Sequence, residues 1–229
     1  MLQLIDPKST QCQALILAPT RELAQQIQRV IMCIGEYLKV VCYTCVGGTV
    51  VGEDKKRLKD GGVHVVVGTP GRVLDLITKK FINTSQLKII VLDEADEMLG
   101  RGFVDQMKDI IQQLPPDIQV ALFSATMPPE ILEMTEKFMR KPVQILVKNE
   151  QLTLDGIKQF YVSIAKEEWK FDTLVEIYKS VEIGQCMIFA NKKERVIELA
   201  NKLKALNFVV SETHGDMEMV MCQTNLGRP

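Results

Sequence analysis

The run Ile89-Ile90-Val91-Leu92, followed at once by Asp93-Glu94-Ala95-Asp96, constrains this chain more than any other stretch. Four aliphatic residues that stop abruptly at acids are too few for a buried helix, and they read as a strand covered on both faces of a parallel sheet. The C-terminal end of such a strand faces the crevice where ligands bind. An Asp leaving it with a Glu directly after suits nucleotide hydrolysis, one carboxylate holding Mg²⁺ and the next orienting the attacking water. The same residues also suit a plain helix start, with Asp93 as N-cap and Glu94 and Asp96 favoured by the helix dipole.

The pattern recurs along the chain. Gln13 to Leu17 is an apolar strand leading into Pro19-Thr20-Arg21, with Thr20 placed to cap a helix through Gln28 to Ile34. A β-branched stretch from Val40 to Val46 precedes Gly47-Gly48-Thr49 and a polar helix. His64 to Val67 leads into Thr69-Pro70-Gly71-Arg72 and another helix, and Val120 to Phe123 leads into Ser124-Ala125-Thr126. A hydroxyl, a basic residue and a helix N-terminus at a strand end make a corner suited to phosphate, although an ordinary strand-to-helix turn has the same look. The β-α alternation predicts a doubly wound parallel sheet with all these ends on one edge.

A polar stretch over 149–156 reads as a linker between a first lobe, 1–148, and a second β-α alternation over 157–217. In that second lobe strands are expected at Phe160, Met187–Ala190 and Phe208, and the last twelve residues, 218–229, read as a loose tail. No apolar run approaches the roughly 18 residues of a membrane span, and the N-terminus lacks the pattern of a signal peptide, so cytoplasm or nucleus is expected. The formal net charge of -1 excludes nucleic-acid binding by bulk basicity. Cys42 and Cys45 have C-x-x-C spacing, but residues three apart on a strand point to opposite faces, so reduced and metal-free thiols are expected.

Taken together, Pro19-Thr20-Arg21-Glu22-Leu23-Ala24, Gly47-Gly48, Thr69-Pro70-Gly71-Arg72, Asp93-Glu94-Ala95-Asp96 and Ser124-Ala125-Thr126 resemble, in order and spacing, the DEAD-box RNA helicases. Longer runs, among them Leu152-Thr153-Leu154 and His214-Gly215-Asp216-Met217, are similar to the members of that family acting in translation initiation and at the exon junction. The resemblance implies a RecA-like fold and an ATP-dependent RNA helicase using ATP and Mg²⁺, with Asp93 at the metal through water and Glu94 activating the water. It implies that Asp96 bonds to Ser124 and Thr126, coupling nucleotide to RNA. Thr20, Arg21, Gly47, Gly48, Thr69, Gly71 and Arg72 would hold the RNA backbone without reading sequence. Partners implied are RNA and either an initiation-factor scaffold or exon-junction components, with no membrane. Asn191 falls in a second-lobe motif, with Lys192 where the family has Thr or Ser.

The family's adenine-reading glutamine motif and its Gly-x-Gly-Lys-Thr loop precede the strand at Gln13, and its second-lobe Gln-x-x-Arg stretch follows Met217. The expectation is therefore a sheet lacking its first strand and an incomplete second RecA-like lobe. Without those parts the chain would hydrolyse no ATP alone, and a short RNA- or partner-binding form competing with the full helicase is the alternative. The lost strand is expected to be central, leaving its neighbours unpaired and stability poor.

Overall fold

The computed structural model describes residues 1–100, 102–136, 138–146 and 156–217, which form two compact units, Met1–Leu146 and Val147–Pro229. The expected linker over 149–156 lies outside the described residues except for Gly156, and the expected tail over 218–229 lies wholly outside them.

In the first unit each apolar run is a strand: β1 Ala14–Leu17, β2 Cys42–Cys45, β3 Val65–Gly68, β4 Ile89–Leu92 and β5 Gln119–Leu122. They pair in parallel in the order β2-β3-β1-β4-β5. Between them run α1 (Arg21–Gly35), α2 (Val51–Lys59), α3 (Pro70–Thr78), α4 (Ala95–Leu99) and α5 (Val104–Gln112), and α6 (Pro129–Glu136) follows β5. Alternation along the strands splits the core in two. Leu15, Leu17, Val66, Ile90 and Leu92 face α3 and α5, packing on Val73, Leu76, Met107 and Ile110. Ala14, Ile16, Val65, Val67 and Ile89 face α1, packing on Ala24 and Ile31. Strands β1 and β3 are buried at every position, as continuous aliphatic runs in a helix-covered parallel sheet must be.

The expected gap in the sheet is not there. β4 pairs directly with both β1 and β5, Ile89 lying level with Ala14 on one side and Gln119 on the other, so the ladder is unbroken from β2 to β5. The thinly covered region is instead the edge: β5 is only half-buried, and Phe123 just beyond it is exposed. Beside it, on the α1 side of β1 and β4, lies a groove of about 450 Å³ lined by Ile16, Leu23, Ile27, Val91, Asp93 and Phe123.

Two buried polar side chains fasten the N-terminal stretch to this sheet. The Gln13 amide accepts from the Asp6 N–H at 2.9 Å and donates to the Asp6 carbonyl at 2.8 Å. His64 Nδ1 accepts from the Val41 N–H at 2.9 Å, and its Nε2 lies 2.9 Å from the Ser9 carbonyl, so the ring carries its proton on Nε2.

Cys42 and Cys45 fall in different halves of the core, as strand alternation requires. Burial pushes the Cys12 and Cys42 thiols up to about 12 and raises Cys45 further. At pH 8 a thiol of that pKa is only ~10⁻⁴ thiolate, and the thiolate is the reacting species. A disulfide-exchange reagent should therefore modify exposed Cys33 and Cys186 in the native protein, and Cys12, Cys42 and Cys45 only after denaturation. Peptide mapping of the labelled protein decides this, and native labelling of Cys42 or Cys45 would refute their packing.

The second unit differs from expectation. Its described residues hold a 3-10 turn, Glu167–Trp169, then α7 (Lys170–Ser180) and α8 (Lys193–Ala205), and no strand. Phe160, Met187–Ala190 and Phe208 belong to no strand, the Phe208 N–H donating instead to the Leu203 carbonyl at 3.1 Å behind α8, and Phe160 and Phe189 are exposed. An extended segment becomes a strand only when another backbone exchanges N–H and C=O groups with it. Buried apolar side chains are confined here to Ala200 and Leu203 among the described residues, with Tyr178 meeting Phe208 edge-on at 5.4 Å between ring centres.

Candidate functional site

The registers set the last residues of all five strands, Cys45, Gly68, Leu17, Leu92 and Leu122, in one row. Every site residue expected from the sequence leaves the sheet just past that row. Strand order sorts them: the ends of β2, β3 and β1 carry Gly47, Gly48, Thr69, Gly71, Arg72, Thr20 and Arg21, whereas β4 and β5 carry Asp93, Glu94, Asp96, Ser124 and Thr126.

On the acidic half, the Asp93 N–H donates to the Leu17 carbonyl at 3.0 Å, extending the ladder by one residue. Asp93 Oδ1 then accepts from the Glu94 N–H at 3.0 Å. It caps nothing further along, and the residue in the cap position of α4 is Glu94, whose side chain makes no capping bond. Glu94 has φ 49° and ψ 54°, a left-handed conformation that costs a residue with a Cβ of order 1 kcal/mol. The turn projects the exposed Glu94 carboxylate from the edge beside half-buried Asp93.

Asp96 binds the neighbouring strand end. Thr126 Oγ1 donates to Asp96 Oδ2, the Asp96 N–H donates to Ser124 Oγ at 3.3 Å, and Ser124 Oγ donates to the Thr126 carbonyl at 2.8 Å. The Thr126 bond, with help from Ser124, holds the Asp96 carboxyl below its ordinary pKa despite some burial. The interaction is therefore complete above the ordinary Asp range and lost as pH falls through the lowered value. Ala95 is tied to the same strand through the Phe123 carbonyl at 3.0 Å. The ends of β4 and β5 are thus bonded to each other by side chain and by backbone.

On the basic half, Thr20 caps α1, its hydroxyl accepting from the Leu23 N–H at 3.3 Å. Thr69 holds the equivalent place before α3, with Pro70 at the first helical position, but its side chain makes no capping bond. Gly48 has φ +82°, and a Cβ there would lie 2.4 Å from Arg21 Nη1, so the Arg21 guanidinium lies directly against it. Two residues brought together only by the fold, Gly48 and Arg21, become one surface.

Arg72 is placed otherwise than its motif suggests. Its side chain is 9% exposed and pairs with Asp54, 3% exposed, on α2. It also donates to the Thr49 carbonyl at 2.9 Å and to Thr49 Oγ1 at 3.3 Å, while the Tyr43 hydroxyl donates to Asp54 at 2.9 Å. Sequence reasoning missed Asp54, Tyr43 and Thr49, because no linear spacing links an acid on α2 to an arginine eighteen residues on.

A five-stranded parallel sheet with paired carboxylates at one strand end and phosphate-suited turns at three others defines a nucleotide-handling α/β domain of the RecA-like kind. The chain belongs to the DEAD/DEAH box helicase family, whose model matches residues 1–135. It is 57% identical over 218 residues to an ATP-dependent RNA helicase eIF4A of Neurospora crassa, covering 95% of this chain and 55% of that protein. Over the same length it is 57% identical to eukaryotic initiation factor 4A of Drosophila melanogaster, with 95% and 54% covered. A structure of S. cerevisiae Dbp5 bound to RNA and ADP BeF3 superposes with a TM-score of 0.86 at 34% identity, covering 98% of this chain and 56% of that one. A DEAD box protein from the hyperthermophile Methanococcus jannaschii gives 0.58 at 32% identity, covering 98% and 60%. The chain spans about half the length of the curated relatives it matches.

Proposed function

We propose that this chain supplies the metal-facing acids and most of the RNA-facing first lobe of an ATP-dependent RNA helicase of the initiation-factor 4A kind. The observation carrying it is the pairing of Asp93 and left-handed Glu94 at the end of β4 with Asp96 tied across to Thr126 at the end of β5. Asp93 fits Mg²⁺, which binds through one or two carboxylates plus waters and phosphates, and among the described residues no cluster of three or more His, Cys, Asp and Glu suggests an all-protein cage. Asp93 would hold the ion there, and the ion would supply charge neutralisation to a phosphoryl group in transfer. Glu94, projecting beside it, orients the attacking water. The Asp96–Thr126–Ser124 bonds couple the nucleotide end of the sheet to the RNA end.

Thr20, Arg21, Gly47, Gly48, Thr69 and Gly71 present hydroxyls, backbone N–H groups and one guanidinium along a single edge, which suits a sugar-phosphate backbone and carries no base information. RNA as the partner is supported by the relatives' names, whereas an initiation-factor scaffold or exon-junction components as protein partners rest on the resemblance of the sequence runs alone. A second reading is an RNA-binding form without hydrolysis, resting on the basic half of the edge alone, where Thr20 caps α1 and Arg21 lies against Gly48. Phosphate release with added RNA separates the two.

Both readings predict weak RNA binding, indifferent to base sequence and dependent on Arg21. Fluorescence anisotropy with unrelated single-stranded RNAs across a salt series should give equal affinities for the parent. Arg21→Ala should weaken binding about tenfold at low salt and lower the salt slope by about 0.7, the loss of one phosphate contact. An unchanged slope would place the RNA surface elsewhere.

A further inference from the structure

We propose that Arg72 is a positioning residue: through Thr49 it sets the height of the Gly47-Gly48-Thr49 loop, and Asp54 and Tyr43 are its anchors. A guanidinium in the Thr69-Pro70-Gly71-Arg72 turn looks like one more phosphate contact. The geometry points inward instead, with the Arg72 and Asp54 side chains almost fully buried and paired. Burial, then the hydrogen bond to Asp54, pushes the Tyr43 phenol up to about 12, so Tyr43 remains a proton donor to the other Asp54 oxygen at 2.9 Å.

Turning Arg72 out to a solvated phosphate would strand Asp54 as a buried, uncompensated charge, and a contact made in water returns little for that loss. The inward state therefore persists when RNA arrives. Its consequence lies in the loop. Arg72 holds the Thr49 carbonyl at 2.9 Å, and Thr49 Oγ1 in turn donates to the Val46 carbonyl at 2.9 Å, fastening the turn at both ends. Gly48 between them, at φ +82°, is the surface against which Arg21 lies. A buried ion pair with no RNA contact of its own thus places half-buried Arg21. This rests on the reading that the edge binds RNA, and the test keeps the two apart.

The test replaces the pair by apolar groups of similar length, Asp54→Leu with Arg72→Met, in the full 229-residue chain. Arg72→Lys serves as a milder variant that keeps the charge and loses the forked bond to Thr49. Backbone ¹⁵N relaxation should give order parameters of about 0.85 for Gly48 and Thr49 in the parent and below about 0.6 in either variant. Thermal melting reports whether each variant folds. RNA affinity should fall about tenfold with an unchanged salt slope, because no charged contact is lost. A loop that stays rigid in both variants, or a slope that falls by about 0.7 in the Arg72→Met double variant, would overturn the proposal and make Arg72 a phosphate contact. If Arg21→Ala also leaves affinity and slope unchanged, the RNA reading of this edge fails, and the order parameters still decide what Arg72 does to the loop.

Discussion

Gly68→Ala should destabilise the first unit by about 1 to 3 kcal/mol, and Gly68→Val by more than about 4 kcal/mol. Gly68 ends β3, between β2 and β1, and a Cβ there would meet the Cys45 carbonyl oxygen at 2.3 Å and Val73 Cγ2 at 2.6 Å. Neither neighbour can give way cheaply. The Cys45 carbonyl is held as acceptor of the Thr69 N–H at 3.1 Å, the Gly68 carbonyl is held on the other side by the Ala18 N–H at 3.0 Å, and Val73 is fully buried. Relief requires β2 to move away from β3 where the Gly47 loop and the Thr69 turn begin, so the damage reaches the site as well as the core. Gly71 is the control, three residues on, where an added Cβ meets nothing within 4 Å. Gly71→Ala should melt within about 0.5 kcal/mol of the parent. Urea unfolding followed by circular dichroism should show a lower midpoint with unchanged slope for Gly68→Ala. A Gly68→Ala midpoint equal to that of the parent would show that β2 and β3 tolerate separation.

The contrast between these two glycines also shows what was legible beforehand. Four strands could be read because each is a mostly aliphatic run of four or so ending at a turn, β2 because it lies in a β-branched stretch from Val40 to Val46, and the Thr20 cap because a hydroxyl stands three residues before the N–H that donates to it. The carboxylates at Asp93, Glu94 and Asp96 could be placed on the ligand edge for the same reason: a parallel strand has one such end. What could not be read depended on packing between elements distant in the chain. Whether Arg72 points to solvent or to Asp54 is decided by α2 lying beside α3, and nothing in Thr69-Pro70-Gly71-Arg72 encodes it. Nor did the sequence order of the strands reveal that β4 sits directly between β1 and β5, which is why a gap was expected in a ladder that has none. In the second unit, apolar runs at Phe160, Met187 and Phe208 had the composition of strands, but composition supplies no partner backbone.

That last difference leads to the largest effect expected by any local measurement. Amides of β1, β3 and β4 should exchange with solvent at least about 10³-fold more slowly, relative to their intrinsic rates, than amides of α7 and α8. The strand amides lie inside an unbroken ladder whose side chains are buried on both faces, so their exchange requires opening the whole first unit. Helix α7 buries none of its residues and α8 only Ala200 and Leu203, while Phe160, Tyr161, Phe189 and Val209 stand exposed nearby in the chain. Helices of eleven and thirteen residues are marginal in water without packing on an apolar face. The ion pairs there do little to compensate: Lys202–Glu198 at 2.7 Å and Lys193–Asp216 at 2.6 Å are exposed, and pairs of that kind contribute roughly 0 to 1 kcal/mol each. Exchange followed by mass spectrometry should therefore show peptides over 170–180 and 193–205 fully deuterated at the earliest times, while those covering 14–17, 65–68 and 89–92 remain protected. Comparable protection in the two sets would mean that α7 and α8 are held as firmly as the strands, and sparse burial would not set the local stability of the second unit.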